Sequence, residues 1–472
     1  MNTNRRKFLK LSGLTGMMIA GGEIPTPIGA DPKNKNEGFE KSGSSLFNMC
    51  GYSAPKLETV RIGFIGLGNR GPAAVLRTSK IEGVDIKALC DIRPEKANSA
   101  KKKLAEATKA FNPQLYSGSE NEWKKVCDRN DIDLIYIATP WNLHAPMAVY
   151  AMKQGKHVAT EVPAAVTVEE CWQLVETSEK TRKHCMILEN CCYDFFELLT
   201  LNMARQGFFG EIVHCEGAYI HDLLESNFSK ENYYDMWRLK ENFRNGNLYP
   251  THGLGPVAQV LNINRGDKMD YLVSVSTNDF MMGSMAKELA ARDQFFKDFA
   301  NKNYRGNMNT TTIRTNKGRT IMLQHDVSSP NIYSRIHKIS GTKGSALKYP
   351  LPGKIALGHQ EWINEEDFKK LEEKYTAPIV RKVGEMAKQV GGHGGMDFLM
   401  DWRMIDCLRN GIPVDMDVYD AAAWSSIGPI SEKSIAKRSN SIDVPDFTSG
   451  AWKTNQPVDI SLEKGGNTKV TL

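Results

Sequence analysis

The chain has 472 residues, room for two or three domains at roughly 150 residues each. With 41% hydrophobic and 25% charged residues it is neither disordered, collagen-like nor a polytopic membrane protein. The net charge of +6 is scattered rather than blocked, which gives no pointer to nucleic acid, and nine Cys without a CxxC support neither a complete disulfide framework nor a zinc or iron–sulfur site.

Residues 1–30 read as an address. Arg5-Arg6-Lys7-Phe8-Leu9-Lys10 precedes a weakly apolar run, Leu11 to Ala20, too short to span a bilayer as a helix, and Ile28-Gly29-Ala30 ends in small residues. The paired Arg resembles a twin-arginine signal, which implies export of a folded chain, cofactor included, to the periplasm by the twin-arginine machinery. Residues 31–57 are rich in Gly, Ser, Asn and Lys and read as a linker.

Val60 to Ile65 is an apolar run, hence a buried strand, and it opens into Gly66-Leu67-Gly68-Asn69-Arg70-Gly71. A helix is expected over Pro72 to Ser79 and a second strand over Asp85 to Cys90, ending at Asp91. Gly66 permits the tight turn, Gly68 lets backbone approach a pyrophosphate, and Gly71 lets helix and strand pack closely. Asp91, 20 positions beyond Gly71, is placed to accept from ribose hydroxyls and would repel a 2′-phosphate, so NAD is expected although Arg93 stands close by. A strand over Leu134 to Ala138 leads into a loop, Thr139 to His144, then a helix to Gln154 and a strand over Lys156 to Thr160. Glu161-Val162-Pro163, a helix over Val168 to Thr181 and a strand over Met186 to Leu188 follow, before Glu189-Asn190. This alternation predicts an α/β Rossmann domain, a doubly wound parallel sheet, over residues 58–190.

The strand–GxGxxG start, the Ala138 to His144 loop and the Glu161 to Pro163 turn resemble the glucose–fructose oxidoreductase/inositol dehydrogenase/rhizopine catabolism superfamily. That resemblance implies a C-terminal α+β domain with a large, mostly antiparallel sheet over residues 191–472. It also implies a homodimer, since broad sheet faces often pair between subunits. Superfamily dehydrogenases usually carry Glu-Lys-Pro at the turn, the Lys contacting the reacting hydroxyl; here the position is Val162, which can neither donate nor relay a proton. A narrower resemblance accounts for the change. Trp141 to His144, Glu161-Val162-Pro163, Glu189-Asn190, Trp237-Arg238-Leu239, Asn245 to His252 and Gln324 to Pro330 look like glycoside hydrolase family 109, whose founding activity is an α-N-acetylgalactosaminidase that keeps NAD bound.

Beyond Asn190, strands are expected over Glu211 to Ile220 and Tyr271 to Thr277, with a hairpin over Thr310 to Asp326 around Asn316-Lys317-Gly318. Helices are expected over Leu254 to Ile263, Phe398 to Leu408 and Tyr419 to Ala436. The family pattern implies that Tyr219, Arg238, Tyr249, His252 and Tyr333 surround the sugar. It implies that Asn69, Arg70, Asp91, Trp141, Asn142, Leu143, His144, Glu161, Val162 and Asn190 join Gly66, Gly68 and Gly71 around NAD. Taken singly, a Tyr at a strand end is more often a packing residue, and Arg238 more often a surface cation with a buried stem. Cys191-Cys192 read as buried small side chains rather than a reactive pair, and Gly391 to Gly395 either as a mobile loop over the pocket or as a plain connector.

An ordinary retaining glycosidase needs two carboxylates about 5 Å apart, and no such pair stands out; NAD-dependent hydrolysis is an exception to that scheme. The resemblance implies transient oxidation at sugar C3, elimination across C2 and C1, addition of water and return of the hydride, with no net redox. His252 is the first choice for proton transfer, with Tyr249 or Tyr333 sharing the task if a cation lowers the phenol. The alternative is a periplasmic NAD(P)-dependent sugar oxidoreductase with net redox. On either reading the partner is a small-molecule sugar or glycoside.

Overall fold

The computed structural model describes residues 47–472, so the expected signal and the first part of the expected linker lie outside the described residues. Among the described residues no helix is long and apolar enough to cross a membrane.

The first half alternates as its apolar runs require. In order come β1 (Val60–Ile65), α1 (Gly71–Thr78), β2 (Val84–Cys90), α2 (Pro94–Ala107), β3 (Gln114–Tyr116), α3 (Glu122–Cys127) and β4 (Leu134–Ile137). Then follow α4 (Trp141–Lys153), β5 (His157–Thr160), α5 (Val168–Thr181) and β6 (Cys185–Ile187). The six strands form one parallel sheet in the order β3-β2-β1-β4-β5-β6. Its central strands β4 and β5 are buried at every position, the mark of a sheet covered on both faces. The order reverses between β1 and β4, and the crevice there, at the strands' carboxyl ends, is where such sheets bind nucleotides.

The second half contributes α6 (Phe195–Arg205), β7 (Ile212–Ile220), α7 (Trp237–Glu241), α8 (Thr251–Val260), β8 (Met269–Ser276), α9 (Met282–Arg292), β9 (Asn309–Thr315) and β10 (Thr320–Asp326). A ribbon, β11 (Lys338–Gly341), β12 (Gly344–Leu347) and β13 (Lys354–Leu357), precedes α10 (Glu365–Tyr375), α11 (Pro378–Val390), α12 (Met396–Asn410), α13 (Val418–Ala436) and the short β14 (Ile442–Asp443). The eight strands run β13-β12-β11-β7-β10-β9-β8-β14. All pairs are antiparallel except β7 with β10. One face is covered by α8 and α13. The other is open: Tyr271 and Val275 on β8 are 36% and 58% exposed.

Three features depart from the linear reading. Trp141 to His144, expected as a loop, form the first turn of α4, because Pro140 immediately before them suits a helix start. Residues 47–57, expected as linker, are docked: Met49 is 2% exposed and its N–H donates to the Tyr419 hydroxyl at 3.1 Å, while Leu57 N–H donates to Leu408 O at 3.0 Å. The chain beyond residue 190 does not stay with its own sheet either. Helix α12 packs on α1 and β1, and α13 on α5 and β6, so C-terminal residues complete the first layer.

Candidate functional site

The Gly-rich turn has the geometry its sequence demands. Gly66 sits at φ +93°, and a Cβ there would lie 2.5 Å from Ala138 O; a Cβ on Gly71 would lie 2.0 Å from Gly66 O. A Cβ on Gly68 would meet only the Arg93 guanidinium, at 3.7 Å, so that stretch of backbone is open to a ligand. The first turn of α1 has no side-chain cap, and its N–H groups remain for an anion. Asp91, at the end of β2, accepts from Leu67 N–H at 2.7 Å and Arg93 N–H at 2.9 Å, one bond to each carboxylate oxygen. Each oxygen keeps a lone pair for a ribose hydroxyl. These residues fit a dinucleotide.

Beside the turn lies a charged hub. Arg70 donates to Glu161 Oε1 at 3.0 Å and to Asp397 Oδ2 at 3.3 Å. Asn190 donates to the other Asp397 oxygen at 2.5 Å, and His393 Nδ1 stands 2.9 Å from Asp397 Oδ2. Burial would raise the Asp397 carboxyl, yet His393, Arg70 and Arg77 outweigh it and hold the group well below the usual carboxylate range. The Gly391 to Gly395 loop thus borders the nucleotide crevice. Asn69 is exposed and donates to Asn232 O at 3.0 Å, tying the turn to the second half of the chain.

The remaining residues assigned to the nucleotide divide. Val162 is 2% exposed. Asn142 and Leu143 are exposed on the first turn of α4, at the carboxyl edge of the sheet. His144 is buried, with Nδ1 2.7 Å from Pro163 O and Nε2 2.8 Å from Thr139 O. Both its ring nitrogens face backbone carbonyls, so it braces the Glu161 to Pro163 turn instead of offering a group to a ligand. Trp141 faces the other way: its indole stacks on Tyr249 at 5.3 Å between centroids.

The residues assigned to the sugar do meet. Helix α8 lies directly on β7, because a Cβ on Gly253 would come within 2.4 Å of Ala218 N and one on Gly217 within 2.3 Å of Gly253 O. That approach sets the His252 ring 5.4 Å from Tyr219 and 4.8 Å from Tyr249. Tyr219 lies 4.6 Å from Tyr249 and 6.4 Å from Tyr333, and its hydroxyl is 3.0 Å from His221 Nδ1. Arg238 holds its guanidinium 5.4 Å from the Trp141 and Tyr233 rings and 5.5 Å from Tyr249. The condition set for a Tyr as base is not met. Burial pushes the Tyr249 phenol well up, and Arg238 opposes this without reversing it; burial likewise pushes Tyr333 up against Arg335. Burial therefore holds both phenols protonated.

The decisive partner is one that linear reading passes over. Glu189, wholly buried just after β6, accepts from His252 Nδ1 at 2.8 and 3.0 Å through its two oxygens, and from Cys191 N–H at 3.0 Å. Burial alone would raise this carboxyl, but the imidazole charge and hydrogen bonds hold it below its ordinary value. An ionised Glu189 fixes the Nδ1–H tautomer, which leaves Nε2 free to take a proton. Glu189 carried two signals in the sequence, its place after a strand at the ligand edge and its part in the Glu189-Asn190 segment of the family resemblance, but neither named His252 as its partner. Asp397 carried none, lying 207 residues from its partner Asn190. Cys191 and Cys192 are buried, and burial pushes both thiols up, which removes them as nucleophiles.

Residues 193–454 match the family model "Glycosyl hydrolase 109, C-terminal domain", and residues 60–189 match "Oxidoreductase family, NAD-binding Rossmann fold". The chain is 50% identical over 415 residues to a protein of Bacteroides fragilis named alpha-N-acetylgalactosaminidase, spanning 87% of this chain and 96% of that one. It is 48% identical over 463 residues to glycosyl hydrolase family 109 protein 1 of the same species, spanning 94% of each. Among solved structures, levoglucosan dehydrogenase in complex with NADH superposes with a TM-score of 0.60 at 19% identity, over 82% of this chain and 100% of the other. The last likeness is one of fold.

Proposed function

The chain belongs to glycosyl hydrolase family 109 and carries an NAD-binding Rossmann domain of the oxidoreductase family, and from that premise we propose that it hydrolyses terminal α-N-acetylgalactosaminides or a closely related glycoside. The observation that carries this reading is the Glu189–His252 pair set among Tyr219, Tyr249 and Tyr333, with buried Val162 at the turn where superfamily dehydrogenases have Lys.

Bound NAD supplies a hydride acceptor, and later a hydride donor, for sugar C3. The backbone from Gly66 to Gly71 and the α1 N-terminus would hold its pyrophosphate, and Asp91 would hold ribose hydroxyls. Arg70, Glu161 and Asn190 line the crevice between that turn and the sugar, locked by Asp397. His252 Nε2 takes the proton from sugar C2 and returns it, while Glu189 stabilises the imidazolium that forms. Tyr249 and Tyr333 donate to sugar hydroxyls, and Arg238 donates to the acetamido carbonyl. Trp141 and Tyr249 form an apolar wall that excludes water from one side of the ring.

The N-terminal Arg-Arg pattern supports export to the periplasm through the twin-arginine machinery, with NAD already in place. The open sheet face around Tyr271 and Val275 supports a homodimer.

The test is purified protein, without added nucleotide, on a panel of nitrophenyl α- and β-glycosides that includes the N-acetylgalactosaminides. Phenol release and free NADH are followed together. Many turnovers with no accumulating NADH are expected. Stoichiometric NADH from free sugars, with no glycoside cleaved, would replace this reading with a net oxidoreductase.

A further inference from the structure

Cysteine spacing gave no reason to expect a metal, yet the fold assembles a ligand set from separate segments. A Glu189 carboxylate oxygen, Cys191 Sγ and His252 Nδ1 all lie within 4.8 Å of one another. Glu189 follows β6 and precedes the 3-10 turn Asn190–Tyr193 that holds Cys191, and His252 comes from the first turn of α8. Glu189 and Cys191 are wholly buried, whereas 14% of the His252 side chain is exposed, and its ring borders Tyr219 and Tyr249. An ion would therefore enter from the sugar side. It would find one nitrogen, one sulfur and one oxygen ligand, with a fourth position facing its own path of entry. Three mixed ligands and an open position suit a tetrahedral ion. Sulfur and imidazole select zinc or cadmium over magnesium or calcium, which require oxygen ligands.

We propose that Glu189, Cys191 and His252 form a binding site for a thiophilic divalent cation of the zinc class, and that its occupation switches the enzyme off. The inhibitory half rests on the reading of His252 as the proton carrier. The ion takes the Nδ1 lone pair, so the ring proton sits on Nε2, which then faces the sugar as N–H with no lone pair to accept a proton. The ion also displaces the Cys191 thiol proton, which goes to solvent. Glu189 exchanges a hydrogen bond for a metal–oxygen bond. Nothing is oxidised or reduced, and removal of the ion restores the original tautomer.

The experiment uses the NAD-loaded chain after dialysis against a chelator. Cadmium is titrated while the ultraviolet charge-transfer absorbance of a cadmium–thiolate bond is followed, in the wild type, C191S and the neighbouring control C192S. Zinc inhibition of glycoside cleavage is measured on the same three proteins. One cadmium per chain with the thiolate band is expected in wild type and C192S, and loss of that band in C191S. C191S should cleave substrate normally without zinc, while its zinc inhibition constant weakens by about tenfold or more. A thiolate band unchanged in C191S would overturn the site, as would equal zinc inhibition of C191S and wild type. Cys191-dependent binding that leaves cleavage untouched would keep the site and overturn the inhibitory half, together with the role given to His252.

Discussion

Replacing Glu189 by Gln tests the geometry at its centre. The amide keeps the size of the carboxylate, and its oxygen can still accept from His252 Nδ1, so the ring should keep its place between Tyr219 and Tyr249. What disappears is the charge. A hydrogen bond to a charged group contributes about 1.5–3 kcal/mol and a neutral one about 0.5–1.5 kcal/mol, so the change removes about 1–1.5 kcal/mol of imidazolium stabilisation. At about 1.4 kcal/mol per decade, kcat/KM should fall about tenfold. The coupling that holds the Glu189 carboxyl below its ordinary value is reciprocal, so losing the anion also makes the imidazolium less favourable. E189A, which removes the acceptor and frees the tautomer, should lose about a hundredfold or more. The assay is cleavage of the best nitrophenyl glycoside, with nucleotide content measured on each preparation. E189Q with wild-type kcat/KM at full NAD content would refute the dyad.

Tyr249→Phe keeps the stack on Trp141 and removes a phenol that burial holds protonated. It should raise KM about tenfold, the loss of one donor worth about 1–1.5 kcal/mol, with Tm unchanged in a melting assay. Asp397→Asn strips the anion from Arg70, Arg77 and His393. Breaking a buried pair of this kind costs about 3–5 kcal/mol, and the purified variant should carry less NAD per chain and melt earlier. Unchanged nucleotide content would show that Asp397 does not hold the crevice. His184 is buried, and burial drives its pKa down from 6.5 to about 4. The folded chain refuses a proton that the unfolded chain takes, so stability present above pH 6.5 is lost as pH falls toward 4, by up to about 3 kcal/mol. In H184Q the drop in Tm between pH 7 and pH 4.5 should be smaller than in wild type; an equal drop would place the acid sensitivity elsewhere.

Much of this protein is legible in linear order because it is local. The turn from Gly66 to Gly71 and the carboxylate of Asp91 lie inside one β–α–β unit, where the apolar period and the glycines carry their own geometry. The β9–β10 hairpin is likewise announced by Asn316-Lys317-Gly318. Short elements escape this reading: β3 has three residues and half-exposed sides, too few to show a period. The family pattern also named Tyr219, Arg238, Tyr249, His252 and Tyr333 as a group, and they do share one cluster.

What the linear order could not contain is who faces whom. Glu189 and His252 are 63 residues apart and come from different layers, and Asn190 and Asp397 are 207 apart. Their meetings depend on α8 lying on β7 at the Gly217–Gly253 contact and on α12 returning to the first sheet. Contacts of that range are settled by packing of whole elements, which no local periodicity encodes. Burial, too, is a property of the assembled core: it keeps the Tyr249 and Tyr333 protons in place and lets Glu189 act on His252 at low dielectric. The nucleotide turn, the first sheet and His252 as a candidate could be read from linear order because each rests on local pattern; the partners Glu189 and Asp397 and the burial that holds the phenols protonated arise only when distant elements pack.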